Sequence, residues 1–126
     1  LDPADTLAAV KTVARENQCS ATATGLVDYV SDGERTWRIS GGSDFLTRIT
    51  GSGCWLGAVI AAACVVAENP VLGTITSLCA YGAASEKASI NANGPGTFRV
   101  AFLDELANLH ANDFERLDNN LEEIHE

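Results

Sequence analysis

The apolar positions change their period several times along the chain, and each change marks an element. Leu7, Val10 and Ala14 recur at i, i+3 and i+7, the spacing of one helix face. Ahead of them, Asp2-Pro3-Ala4-Asp5 supplies a capping carboxylate, a proline suited to the first helical position and an acid at the positive end of the dipole. A helix ending near Asn17 is therefore predicted. Gln18 to Thr24 is short and rich in Thr and Ala, and reads as a buried strand stopped by Gly25. Val27 to Ser31 and Arg35 to Ser40 flank Asp32-Gly33, the strongest hairpin signal in the chain, with Trp37 and Ile39 on one face. Gly41-Gly42-Ser43 is a loop, and Phe45 to Thr50 leads into Gly51-Ser52-Gly53-Cys54 at the start of a long apolar helix. Glu68-Asn69-Pro70 breaks that helix, and a second runs from about Val71 to Asn91. Asn93-Gly94-Pro95-Gly96 is a loop, after which Thr97 can cap a third helix with Phe98, Phe102, Leu106 and Leu109 on one stripe. From Asn112-Asp113 onward, Phe114, Leu117, Leu121 and Ile124 keep helical spacing.

The pattern is α/β with an imbalance. Two helices are apolar nearly all round, which implies cover on several faces, while the strands are few and short. Such a chain completes its core with something else: an absent N-terminal half or other subunits. The 126 residues allow one domain, and 46% hydrophobic content excludes disorder. The sequence begins at Leu1 and contains no Met, which fits a fragment or processed chain. The run Cys54 to Ala67 is too short to span a bilayer and suits a buried helix.

Charge narrows the function classes. Eight Lys and Arg against seventeen Asp and Glu give −9, which argues against nucleic-acid and anionic-membrane surfaces. From Thr50 to Ser85 the only charged residue is Glu68, so the acid is concentrated elsewhere, chiefly from Asp104 to Glu126. The four cysteines, Cys19, Cys54, Cys64 and Cys79, form no CxxC pair, and the two histidines form no metal motif. Free thiols suggest a reducing, cytoplasmic setting.

The candidate chemistry lies at Thr50-Gly51-Ser52-Gly53-Cys54. Two glycines let backbone approach a ligand, and the first-turn N–H groups of the following helix lack intrahelical partners. With the helix dipole these make an anion site suited to a phosphate, in a field that favours a cysteine thiolate. A plain glycine-rich turn with Cys54 as a small hydrophobe is equally compatible with this spacing. Other residues take blander readings. Asp28 and Asp32 read as hairpin and turn residues, Gly94-Pro95-Gly96 as a rigid turn, and Cys19, Cys64 and Cys79 as packed thiols. Trp37 reads as hairpin packing and Trp55 as core or interface. Arg48 reads equally as a phosphate contact or a solvated charge.

Taken together, ThrGlySerGlyCys before a small-residue helix, Glu68-Asn69-Pro70, Tyr81-Gly82, Asn93-Gly94-Pro95-Gly96-Thr97-Phe98 and the upstream ThrGlyLeuValAsp of residues 24 to 28 resemble the hydroxyethylthiazole kinases in order and spacing, from Asp5 to about Asp113. The resemblance implies a ribokinase-like three-layer fold with a mostly parallel central sheet, of which this chain is the C-terminal half, residues 1–126. It implies ATP-dependent phosphorylation of the hydroxyl of 4-methyl-5-(2-hydroxyethyl)thiazole in thiamine salvage, with Mg2+, in a homotrimer with active sites at subunit boundaries. By position, Gly51, Ser52, Gly53 and Cys54 would form the anion hole, with Cys54 as base where most ribokinase-like enzymes carry Asp. Gly51 would also lie against the thiazole, and Thr24 would contact ATP. Gly41, Ser43 and Asp44 replace the family's turn before the anion-hole strand, and Leu26 stands where an acid is common. The metal-side acids belong to the family's N-terminal half, so no metal ligand is assigned here, and the isolated chain should be inactive. Two alternatives are a ribokinase-like kinase for another vitamin-precursor alcohol and a non-catalytic assembly subunit. Cys54 in place of Asp speaks against the first. The retained Gly51, Gly53, Cys54 and Thr24 speak against the second.

Overall fold

The computed structural model describes residues 2–114 and 120–125. Helix α1 spans Pro3–Asn17, with the Asp2 carboxylate accepting from the Ala4 N–H at 2.9 Å and Gln18 closing the other end in a left-handed conformation. Val10 and Ala14 are buried, as the period predicts. Strands β1 (Ala21–Ala23), β2 (Asp28–Ser31) and β3 (Thr36–Ile39) follow. The Asp32 carboxylate accepts from the Glu34 and Arg35 N–H groups at 2.9 and 2.7 Å, which closes the predicted β2–β3 hairpin. Helices α2 (Ser52–Val66), α3 (Pro70–Ser89) and α4 (Pro95–Ala107) make the other layer, and α3 packs across β2 and β3.

Three expectations are corrected. The segment leading to Gly51 forms no strand. Asp44–Arg48 is a 3-10 turn, begun by the Ser43 hydroxyl accepting from the Phe45 N–H. Thr97 does not sit ahead of α4 but inside its first turn. Gly94 is the cap, and the Thr97 hydroxyl reaches back to accept from the Asn93 and Gly94 N–H groups at 2.9 and 3.2 Å. The described parts of the terminal segment are not helical in the predicted way. Ala111–Phe114 is a 3-10 turn, Leu117 lies outside the described residues, and Leu121–Ile124 is strand β4. The i, i+3 spacing of Leu121 and Ile124 suits a helix, but β3 offers an open edge far away in sequence. There Leu121 pairs with Ile39 and Ile124 with Thr36, while Arg35 grips Glu123 with two bonds of 2.7 and 2.6 Å. Backbone pairing and a bidentate ion pair override a short local period.

The sheet order is β1-β2-β3-β4, antiparallel throughout. The described residues thus form a mixed α/β unit of one antiparallel sheet and four α-helices. Its core joins Val30 and Ile39 of the sheet to Ile75, Leu78 and Ala84 of α3 and to Phe98 and Phe102 of α4. The aromatic part is continuous. Phe45 stacks on Phe98 at 5.0 Å, Phe98 on Phe102 at 5.6 Å, and Phe102 meets Tyr81 edge-on at 4.8 Å.

The two apolar helices differ. Helix α3 is covered, with eleven buried residues, whereas Leu56 alone is buried on α2. Gly53, Cys54, Gly57, Ala58, Ala61, Ala62, Val65 and Val66 form an exposed stripe along α2, and Val65 and Val66 are 84% and 86% exposed. Against α3 the contact is close: a Cβ at Gly73 would lie 2.9 Å from Cys64 Cα and 3.0 Å from its N. These are backbone atoms, so relief requires the helices to separate. Gly73→Ala is expected to destabilise the fold by about 1–3 kcal/mol, read as a lowered denaturation midpoint. An unchanged midpoint would mean that this helix contact is looser than described.

Candidate active site

A cavity of about 900 Å³ opens between the loops at one end of the sheet and helix α3. That volume lies within the range of small-molecule sites. One wall is a face of α3, where Leu78, Cys79, Gly82, Ala83, Glu86, Lys87 and Ile90 recur at helical spacing. Opposite stand the Thr24–Leu26 loop after β1 and the Gly41–Asp44 loop after β3, and the first residues of α2 complete the site.

Each loop is fastened by side chains. The Asp28 carboxylate accepts from the Gly25 N–H at 3.0 Å and holds the Thr24–Leu26 loop. Burial raises the Asp28 pKa, and that hydrogen bond opposes the rise only in part. Cys79 packs nearby with its thiol pushed up to about 11, chiefly by burial and then by the Asp28 charge, so it stays a neutral thiol. The Glu86 carboxylate accepts from the Gly42 N–H at 2.7 Å, and the Ser85 hydroxyl accepts from the Ser43 N–H at 3.0 Å. Lys87 pairs with Asp113 at 2.7 Å, holding that carboxyl below its ordinary range and tying the 3-10 turn at Ala111–Phe114 to α3.

The Gly51–Cys54 segment forms the N-terminus of α2. Gly51 takes φ +94, a conformation that favours glycine, and Trp55 packs over it. The first intrahelical bond is Trp55 N–H to the Gly51 carbonyl at 3.0 Å. The N–H groups before it are those a helix cannot satisfy internally, and they can receive an anion. The Ser52 hydroxyl donates to the Leu46 carbonyl at 2.9 Å, so Ser52 offers this site its backbone rather than its side chain. The Tyr81 hydroxyl donates to the Ser52 carbonyl at 2.5 Å.

The structure brings Thr24, Ser52 and Gly53 to one cavity. Gly51 and Cys54 adjoin it without lining it. Cys54 is exposed and follows directly on Gly53, which lines the cavity. Arg48 lies with its guanidinium over the Phe45 ring at 5.5 Å and does not line the cavity. Gly94-Pro95-Gly96 also lies outside it, feeding α4. Sequence reasoning missed Tyr81, Ser85 and Glu86 as fasteners of the site. The available signal was their spacing on α3, read together with the Tyr81-Gly82 pair.

The model of the hydroxyethylthiazole kinase family matches residues 2–112. A hydroxyethylthiazole kinase of Moorella thermoacetica is 40% identical over 114 residues, 90% of this chain and 43% of that protein. One from Bifidobacterium adolescentis is 49% identical over 69% of this chain and 29% of its own. The solved structure of the Pyrococcus horikoshii OT3 hydroxyethylthiazole kinase superposes with a TM-score of 0.88 and 33% identity, covering 97% of this chain and 47% of that one. The chain spans less than half the length of these relatives. With the family model matched over most of its residues, the chain belongs to the hydroxyethylthiazole kinase family.

Proposed function

We propose that this chain is the C-terminal half of a kinase that transfers the γ-phosphoryl group of ATP to the hydroxyl of 4-methyl-5-(2-hydroxyethyl)thiazole in thiamine salvage. The observation that carries the reading is the glycine turn at the head of α2, whose Ser52 and Gly53 line one cavity with Thr24 and are followed directly by the exposed Cys54. ATP enters from the cavity, where Thr24 contacts it. The N–H groups of Gly51 to Cys54 receive the moving phosphoryl group. The alcohol approaches from the open side of α2, against Gly51, and Cys54 takes its proton. Phosphoryl transfer depends mainly on positioning and charge stabilisation, so a modest base is tolerable, and Cys54 serves in its thiolate form, becoming the thiol as it takes the proton.

The complementary N-terminal half covers the exposed α2 stripe. That supplies the burial that an apolar helix with one buried residue lacks, and it agrees with the span of less than half of the relatives. It also extends the antiparallel sheet into the mostly parallel sheet of a ribokinase-like three-layer sandwich. Mg2+ accompanies ATP, and the described residues form no cluster of ligands for it. Among the described residues no group of three or more His, Cys, Asp or Glu is placed to hold a metal ion, and Asp28 and Glu86 are committed to backbone N–H groups. In this reading the metal ligands belong to the complementary half. The complete enzyme is a cytoplasmic homotrimer in this reading. No helix among the described residues is long and apolar enough to cross a membrane.

A substrate panel on the complete enzyme tests the assignment. ATP-dependent phosphorylation of the hydroxyethylthiazole should exceed that of pyridoxal and hydroxymethylpyrimidine. Preference for either of those would assign the chain to another vitamin-precursor kinase.

A further inference from the structure

We propose that Tyr81 is a positioning residue for phosphoryl transfer, acting through the peptide unit that joins Ser52 to Gly53. The proposal rests on the kinase reading above. Tyr81 is 3% exposed, with its ring edge-on to Phe102 at 4.8 Å. Its hydroxyl donates to the Ser52 carbonyl at 2.5 Å, across 29 residues of sequence. In a helix that carbonyl already serves the ladder, so the phenol is a further donor from outside α2.

The Ser52 carbonyl and the Gly53 N–H are opposite ends of one planar trans peptide. A donor fixed at the carbonyl sets the plane of that peptide and increases its polarisation. The Gly53 N–H becomes a better aimed and stronger donor. Ser52, Gly53 and Tyr81 all line the cavity, so this polarised N–H belongs to the surface that receives the phosphoryl group. The Ser52 hydroxyl, bonded to the Leu46 carbonyl, holds the same residue from a second direction. Burial pushes the Tyr81 phenol up to about 12, so it remains a donor through neutral pH. A buried tyrosine needs some partner. This one has taken the carbonyl whose peptide carries an anion-binding N–H.

The test uses the complete kinase. Tyr81→Phe should lower kcat about fivefold to tenfold, the scale of one hydrogen bond. The KM values for ATP and the alcohol should stay within about twofold, because the donor matters most when charge develops in transit. The Gly53 amide resonance should shift to the position of a less polarised N–H. A fluorinated tyrosine at position 81 keeps the ring and lowers the phenol pKa. As a stronger donor to the Ser52 carbonyl it should move the Gly53 amide resonance in the direction opposite to the phenylalanine variant, and this serves if that variant fails to fold. A lower melting temperature with unchanged kcat per folded enzyme and an unmoved Gly53 amide would overturn the proposal. So would a folded fluorotyrosine variant whose Gly53 amide resonance is unmoved from that of the parent. If the parent enzyme does not phosphorylate the alcohol, the kinase reading falls, and the Gly53 amide shift still decides whether Tyr81 polarises the turn.

Discussion

Cys54→Ala in the complete kinase is expected to lower kcat by about 10²-fold with little change in KM for ATP, the loss typical of a missing general base. Cys54 is the third residue of α2, exposed beside N–H groups that a helix leaves unpaired. Removing the thiol leaves Gly51, Gly53 and the Tyr81–Ser52 bond in place, so under the proposed mechanism nucleotide and phosphoryl binding should survive while the proton of the attacking hydroxyl would lose its acceptor. The effect stops short of abolition because positioning and charge stabilisation carry most of phosphoryl transfer. Steady-state kinetics with both substrates varied would measure it. An unchanged kcat would instead support a chain that contributes assembly and no chemistry.

Phe102→Ala is expected to cost about 3–5 kcal/mol. The side chain is fully buried and contacts three other rings, Phe98, Tyr81 and Trp55, the last at 6.5 Å. Rings of this size leave a cavity that neighbouring helices fill only in part. Domain stabilities of about 5–15 kcal/mol leave little margin for that loss. Two of the affected rings touch the α2 turn: Trp55 packs over Gly51, and Tyr81 holds Ser52. Activity should therefore fall even at temperatures where the variant remains folded. Urea unfolding should show a lower midpoint at similar slope. A loss below about 1 kcal/mol would mean that the aromatic layer repacks freely.

How much of this was legible in the sequence depended on the range of the interaction. The α1 cap, the Asp-Gly hairpin and the break at Asn69-Pro70 rest on contacts within a few residues, and they formed where local chemistry placed them. β4 was misread because Leu121 and Ile124 satisfy a helical period, while the β3 edge that claims them lies more than eighty residues away. The same distance hid the cavity. Its Ser52–Gly53 corner announces itself by glycine spacing, but the α3 wall mixes apolar, small and charged residues that look like ordinary helix positions, and the Tyr81–Ser52 and Glu86–Gly42 bonds join separate segments. Apolarity around α2 was visible in the sequence. Only the structure shows that this chain leaves that helix open while covering α3.

The most direct test combines this chain with the complementary half of the kinase and follows transfer of phosphate from ATP to the hydroxyethylthiazole by 31P NMR. The account predicts a phosphate monoester of the alcohol when both halves and Mg2+ are present, none from this chain alone, and about 10²-fold slower formation with Cys54→Ala. An assembled complex that binds ATP but yields no such ester, under conditions where an intact relative does, would contradict it.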